Sequence, residues 1–528
     1  MNHRAIRRML AATTVAAFVV GAAACSSSGT GGKASGSTHT SAKPTTSGSA
    51  SDSSGKEISI GIPNPPTSLD PQIGTAGGDY PILYMMYDRL LDSDPKTGQP
   101  EPGLAESWEY TDDAKTKLKL TLRTGVKFQD GTPLDAEAVA ASLERYKSMG
   151  VQSDLNDMQS VDVVNDHVVV LNMGHTNSAL PAILSDRAGM IVSPTAVKKY
   201  GKDYAAHPAG TGPYMLKSQE SGSQITLSAF NDYWNGEPKL SDVRWVIASN
   251  PTTLENSIRS GQVDMILRYP AKDAVALKKD ASLTVSADPS LAFMRIYLDT
   301  SHKPFNDNRV RQAFNYAINR DNLVKVVNGG IGEPATGPLP LDNPYLGEDA
   351  EPTWTYDPAK AKALLADAGL ADGVSITCLS SHGQGYDAAS PLLVADLKAV
   401  GITMNIKEES LAQQHVDFPA SKSDCSFSSW TGRADPYMTI QGLYASDGTY
   451  NYFHTDLGLD PLIAKLQSTH EEAARASVIQ EIVAGLRDAA PGVPLISQPS
   501  MVAYNNSVKG YVPNIVGKPD LRSVYVGS

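Results

Sequence analysis

At 528 residues, 41% of them apolar, the chain is long enough to bury a large core divided over two or three domains. Its formal net charge is −12, and setting aside residues 1–24, which hold Arg4, Arg7 and Arg8 and no acid, leaves −15. An acidic chain without basic clusters argues against nucleic acid as a partner and against membrane attachment by charge.

In chain order, a basic start is followed by a mostly apolar run from Met9 to Ala24 and then by small residues before Cys25, the plan of a secretory signal. That run is shorter than the roughly 20 residues that cross a bilayer. Ala22-Ala23-Ala24-Cys25 resembles a lipoprotein signal-peptidase site, which implies diacylglyceryl modification of Cys25; the other reading is an ordinary cleaved signal. Arg7-Arg8 alone is a weak mark of twin-arginine export. Residues 25–56 are largely Ser, Gly, Thr, Ala and Lys, a composition that cannot offset its ordering entropy by burial. As a tether of roughly 30 residues it would reach on the order of 30 Å.

Glu57 to Ile62 alternates as a strand, Pro63 to Pro71 is a Pro-stiffened segment, and Gly74 to Tyr80 leads into a helix expected over Tyr80 to Leu91. Trp108 and Tyr110 belong to a strand, Asp112-Asp113-Ala114 to a turn, and Lys117 to Arg123 to a second strand with Leu118, Leu120 and Leu122 on one face. Asp135 caps a helix whose apolar face is Val139, Leu143 and Tyr146, stopped by Gly150. Val161 to Leu171 reads as a hairpin turning at Asn165-Asp166.

A helix over Leu254 to Gly261 precedes Val263 to Ile266, and Leu291 to Asp299 is a strand entering another domain. A helix is expected over Asn308 to Arg320 with Asp307 as its cap, and another over Tyr356 to Gly369 with Asp357 capping and Pro358 in its first turn. Strand Val374 to Ser380, helix Ala388 to Val400, strand Ile402 to Lys407 and strand Cys425 to Trp430 imply a mainly parallel sheet. Its ligand-facing loops would be Ser381 to Tyr386 and Trp430 to Asp435. Cys378 and Cys425 lie in the first and third of those strands, open to a disulfide or to two buried thiols.

The run A-E-S-W-E with L-x-L-x-L-R-x-G-V-K-F-x-D-G-T-P-L-x-A, from Ala105 to Ala136, resembles the signature of the family 5 extracellular solute-binding proteins of ABC importers. Gly210-Thr211-Gly212-Pro213-Tyr214 resembles that family's crossover, and N-D-Y-W-N-G at 231–236 and R-V-R-x-A-x-x-x-A-I-x-R at 309–320 extend the match over most of the chain. The resemblance implies an α/β, two-lobed periplasmic-binding-protein-like fold of type II in its large three-domain variant. Domain I would be 57–76 with 207–297 and 500–528, domain II 77–206 and domain III 298–499. It also implies capture of a small, peptide-like solute, delivery to an ABC permease, a lipid anchor on the outer face of the cell membrane, no cofactor and a monomer. Trp234 is expected in the core.

No H-E-x-x-H, G-x-S-x-G or phosphate-binding G-x-x-x-x-G-K-[ST] occurs, and S-x-x-K falls only at 53–56 and 93–96, without the partner motifs of penicillin-binding enzymes. The chemistry expected is therefore recognition. Trp430 would line a cleft with its N–H free for a partner, beside Thr431. Arg433 offers a planar fork for a carboxylate or phosphate, and Asp435 either takes an ammonium group or caps the turn at Pro436. Tyr386, Gln384, Phe293, Tyr80 and Tyr444 complete the expected ligand set, and the same aromatic region, with Tyr437, Tyr450 and Tyr452, suits either stacking on a solute or the core.

Dipeptide-type members of the family resemble W-T-G-D-N-G-D-P here, with the Asp after W-T-G holding the peptide amino terminus and an Arg in the loop matching 381–386 holding its carboxylate. This chain has Arg433 at the first position and no Arg in S-H-G-Q-G-Y. Nickel-type members carry a His in the segment after D-P, where 436–452 has none; His454 just beyond reads as a surface residue. A modified or acidic peptide, an opine-like conjugate, an oligosaccharide or a metal chelate therefore stands beside a plain peptide. A sensor lipoprotein that does not import, or a secreted hydrolase, would come from another class.

Overall fold

Hydrophobic period sets the first sheet. In the computed structural model, which describes residues 56–74, 76–340, 343–346, 353–382 and 385–527, Leu118, Leu120 and Leu122 are buried on one face of a strand while Lys117 is exposed. The leader and tether readings with Cys25, and the expected contact Gln384, lie outside the described residues.

The chain opens with β1 (Lys56–Ile62) and α1 (Tyr80–Met86), then builds a four-stranded sheet from β2 (Ala105–Tyr110), β3 (Lys117–Leu122), β4 (Met158–Asn165) and β5 (Val168–Met173) in the antiparallel order β2-β3-β5-β4. Helix α2 (Ala136–Met149) buries Val139, Leu143 and Tyr146; the Asp135 carboxylate accepts from Ala138 N–H at 2.9 Å, and Gly150 ends it at φ +62°. Two boundaries differ from expectation. Helix α1 stops at Met86, where Tyr87 turns extended and Gly210 and Gly212 approach so closely that a Cβ on Gly212 would lie 2.6 Å from Met85 O. The hairpin turns at Asp166-His167, one residue late, because Asn165 Oδ1 accepts from His167 N–H.

After Gly210 the chain adds β6 (Tyr214–Glu220), β7 (Gln224–Ala229), β8 (Leu240–Ile247), β9 (Met265–Leu267) and β10 (Leu283–Asp288) around β1. It crosses through β11 (Phe293–Leu298) and continues with α3 (Asn308–Ala317), α4 (Arg320–Val327), α5 (Pro358–Asp367), β12 (Val374–Ser380), α6 (Tyr386–Ala399), β13 (Ile402–Glu408), β14 (Cys425–Trp430), α7 (Pro436–Tyr444), α8 (Asp460–Ser468) and α9 (Glu472–Ala489). It returns through β15 (Gly492–Ser497) into β16 (Ser500–Asn505), the strand that completes the first lobe's seven-stranded sheet, β10-β16-β9-β1-β8-β7-β6. Helix α3 ends sooner than expected because Ile318 adopts an extended conformation and Asn319 caps a new helix, α4, that begins at Arg320.

The second lobe's sheet runs β13-β12-β14-β11-β15. Only β13, β12 and β14 are parallel; β11 is antiparallel to both β14 and β15, so the sheet is mixed rather than mainly parallel. The reason is topological: β11 and β15 are the entry and exit strands of the lobe and run in opposite directions. The crossings are tied together, Gln498 N–H to Ala292 O at 2.8 Å and Ser290 Oγ to Gln498 O at 2.7 Å. Cys378 and Cys425 stand opposite each other in the parallel register with Cα atoms 4.4 Å apart and form a disulfide. Among the described residues no helix is long and apolar enough to cross a membrane.

Candidate ligand-binding site

The two lobes meet where β14 ends. Thr431, just past Trp430, lies against Gly77 of the loop before α1, so close that a Cβ on Gly77 would come within 2.3 Å of Thr431 Oγ1. A second contact sets Gly98 against Ala434, whose Cα lies 3.4 Å from where a Cβ would stand. The loop 431–434 is thereby held to the first lobe.

Arg433 is the cation of this junction. Its Nη1 donates to Thr431 O and Gly432 O at 3.2 and 3.4 Å, and its guanidinium lies 4.9 Å from the Trp430 ring centroid, which leaves the fork without a carboxylate partner among the described residues. Opposite stands a buried cluster of the first lobe. Lys518 Nζ donates to Asp186 Oδ2 at 2.5 Å and sits 4.1 Å from the Tyr80 ring centroid, while Arg187 covers the same ring at 4.5 Å. Arg187 also pairs with Asp79 at 3.5 Å and donates to Ala76 O and Pro71 O. Asp154 accepts from the Tyr146 hydroxyl at 2.8 Å.

The electrostatics follow from burial and mixed charge. Desolvation, helped by Arg433 and opposed by Asp186, lowers the Lys518 ammonium to about 7. Desolvation pushes Asp186 up, but Lys518 and Arg433 outweigh it and hold the carboxyl well below its usual range. Desolvation lowers Arg433, and the opposing influence of its neighbours, the Asp186 carboxylate among them, more than reverses it, so the guanidinium stays charged. Tyr80 is raised by burial and by Asp186 and is neutral at pH 7.

A further cation is Arg268, one residue beyond β9, exposed and at φ +57°. Its backbone N–H donates to Met501 O at 2.8 Å, and Tyr386 of the second lobe and Asp79 of the first lie within electrostatic reach of its guanidinium. No periodicity or motif marks Arg268, Asp186 or Lys518, and the sequence reading missed them.

The structure therefore brings Tyr80, Thr431 and Arg433 together, with Tyr80 buried beneath Arg187 and Lys518, and commits the other expected contacts to the interior as well. Trp430 is buried and spends its N–H on Thr439 Oγ1 at 3.1 Å, so that donor is not available to a ligand. Asp435 takes the second of its two expected roles: it caps α7, accepting from Tyr437 N–H at 2.8 Å, and both its oxygens accept from Arg475 Nη2 at 2.6 and 2.7 Å. Phe293 is buried opposite Trp430 in the β11–β14 register. The Tyr386 hydroxyl bonds Ser429 Oγ at 2.9 Å, and Tyr444 donates to Pro338 O at 3.0 Å; both rings are buried. Trp234, expected in the core, is half-buried, its N–H on Asp88 at 2.7 Å. His454 is exposed.

Residues 99–451 match the model of the bacterial extracellular solute-binding proteins, family 5. The glutathione-binding protein GsiB of Salmonella paratyphi A is 31% identical over 479 residues, covering 86% of this chain and 92% of that one. Among solved structures, DppA of Helicobacter pylori in complex with the peptide STSA superposes with a TM-score of 0.81 at 23% identity, covering 89% of this chain and 98% of that one. AgaA of A. tumefaciens R10 in complex with agropinic acid gives 0.81 at 24% identity, covering 89% and 99%.

Proposed function

The chain belongs to the family 5 bacterial extracellular solute-binding proteins, non-enzymatic partners of ABC permeases, and from that premise we propose that its solute is peptide-like and carries a carboxylate that meets Arg433. The observation that carries this reading is a guanidinium at the junction of the lobes with no acidic partner among the described residues, facing Tyr80 and the Asp186–Lys518 pair. A carboxylate there would gain a charge-assisted, planar contact, and a ligand ammonium would find Asp186 across the junction. Support for a peptide comes from the relative that is a glutathione-binding protein.

Binding closes the lobes because the ligand touches both, a shift of population between open and closed states. In this reading 57–76, 207–297 and 500–528 form domain I, 77–206 domain II and 298–499 domain III. The chain is a monomer held to the outer face of the membrane through lipid on Cys25, with residues 26–56 as its tether. Within the ligand set, Thr431, Arg433 and Arg268 touch the solute, while Tyr80, Trp430, Phe293, Tyr386 and Tyr444 shape the wall behind them. A second reading, an opine-like conjugate, is favoured by Arg433 standing where dipeptide-type members hold the amino terminus.

The test is native mass spectrometry of the full chain, followed by denaturation and identification of any released small molecule, with titration of glutathione and of acidic dipeptides into the emptied protein. A bound carboxylate-bearing peptide is expected. A sugar or a metal chelate as the only bound species, or no affinity for any peptide, would overturn the reading.

A further inference from the structure

Apart from the Arg433 junction, the lobes meet where the segment after β5 in the first lobe lies against the connection between α8 and α9 in the second. Ser178 N–H donates to Gln467 O at 2.8 Å, and Ser178 Oγ to Leu466 O at 3.2 Å. Thr176 Oγ1 stands 2.8 Å from Nε2 of His470, the half-buried histidine of that connection. The Tyr110 ring of β2 meets the imidazole edge-on at 5.1 Å and 84°, and the Tyr110 hydroxyl donates to Asn177 O at 2.8 Å, so the first lobe grips His470 from two sides.

Imidazole is the side chain whose charge ordinarily changes in the mildly acidic range, and this one is set against charging. Burial lowers its pKa to about 4, with Lys115 and then Arg475 adding to the fall. Arg475 belongs to α9 and travels with His470, its charge already met by Asp435. Lys115 lies in the turn between β2 and β3 of the first lobe, so its repulsion acts on His470 when the seam is shut. The acids of the same elements are turned to other uses or to solvent. Asp112 accepts from the N–H groups of Thr116 and Lys117, Asp157 pairs with His175 beside Thr176, and Glu471 and Glu472 at the start of α9 are exposed. Opening the seam would return His470 to water and remove Lys115, which moves its pKa back toward the usual 6.5 or so. A group that holds its proton more tightly in the open form favours that form as pH falls through the interval between the two values.

We propose that His470 is a proton-sensitive clasp between the lobes: neutral, it closes the seam with Thr176 and Tyr110, and protonated by mild acid it is repelled by Lys115 and lets the seam open. Release of solute by acid rests on the solute-binding reading above; the clasp itself does not.

Hydrogen exchange in the full chain reads the seam through Ser178 N–H, whose acceptor is across it. Corrected for the intrinsic rate, its protection is expected to fall roughly tenfold from pH 7 to pH 5, less than the whole shift would give because Arg475 stays with His470 in both forms. His470→Gln, which keeps a polar group and cannot titrate, should abolish the fall; Lys115→Asn, whose side chain suits the φ of +53° there, should reduce it. Lys518 titrates over the same interval at the other junction, and the comparison with His470→Gln cancels its share. Equal protection at both pH values, no protection at either, or a fall that persists in His470→Gln overturns the clasp. If His470→Gln does not fold, an undiminished fall in Lys115→Asn overturns it. Glutathione is the probe for release: its dissociation constant should rise roughly tenfold over the same interval in the unaltered chain only. An affinity within twofold at the two pH values, while protection falls, overturns release by this clasp. No glutathione binding at either pH counts against the peptide reading alone, and the exchange result then decides the clasp.

Discussion

Replacing Asp435 by Asn separates the two roles that its sequence position allows. Asp435 and Arg475 are 8% and 4% exposed, and Arg475 also donates to Thr469 O at 3.0 Å, Leu466 O at 3.3 Å and Ser178 Oγ, so it joins α7, α8 and the first lobe through one side chain. Asn keeps the shape and remains a good cap for α7, so the cap itself contributes little to the change. What is lost is the carboxylate that neutralises a buried guanidinium. Removing one partner of a buried pair costs about 3–5 kcal/mol. The amide oxygen left facing Arg475 recovers about 1 kcal/mol. The net expectation is about 3 kcal/mol, which at a urea slope of about 3 kcal/mol/M lowers the midpoint by about 1 M. Urea unfolding followed by tryptophan emission measures the first quantity, and calorimetric titration of whichever solute mass spectrometry identifies measures the second. Affinity should stay within roughly threefold of the unaltered chain. An unchanged midpoint together with a loss of affinity of roughly tenfold or more would refute the argument and place Asp435 on the ligand.

Arg433→Gln should weaken binding of a carboxylate-bearing solute by roughly 30-fold or more while lowering the urea midpoint only slightly, because the guanidinium has no direct ion pair among the described residues and loses only its longer-range attraction to Asp186. Gly77→Ala should disfavour closure by about 1–3 kcal/mol, since its Cβ would fall 2.3 Å from Thr431 Oγ1; adding Thr431→Ala, which leaves Thr431 Cβ as the nearest of those atoms at 3.2 Å, should restore part of the affinity. Lys518 titrates near 7 in the folded chain and above 10 when unfolded. Between those values the unfolded chain holds a proton that the native one lacks, so this residue makes stability rise with pH by up to about 1.4 kcal/mol per unit. Urea midpoints at pH 7 and pH 9 should show that rise in the unaltered chain and a flatter response in Lys518→Met. Replacing Cys378 and Cys425 by Ser removes a cross-link spanning 47 residues and should cost about 4 kcal/mol by loop entropy, read as a lower urea midpoint.

What could be read from the chain was what depends on neighbours in sequence. Alternation at Leu118, Leu120 and Leu122, the Asp135 and Asp357 caps and the Gly150 stop are decided within a turn or two of chain, and the structure has them there. The charged junction is different in kind: Lys518 and Asp186 are 332 residues apart, so their pairing is a property of the topology alone. Asp435 and Trp430 show the same limit at shorter range. Their chemistry was legible, a carboxylate beside a turn and an indole at a strand end, but Arg475 lies 40 residues further on and takes both oxygens of the carboxylate, and Thr439 sits one helix turn inside α7 and takes the indole N–H.

β11 shows why the sequence leaves the aromatic stretch from Tyr437 to Tyr452 open between a ligand wall and core, when Tyr444 within it packs on Arg295. Every residue from Phe293 to Leu298 is buried, so the strand has no polar–apolar alternation to show which side faces which layer. Its pairing with β15 is also irregular, the register shifting between Met294 and Arg295, and a shift of one residue exchanges the two faces of a strand. An arginine in such a run reads as a misplaced polar residue. Only the register, fixed by the antiparallel crossings that enter and leave the lobe, turns its guanidinium toward Tyr297 and Tyr444 rather than toward the layer holding Met294 and Ile296.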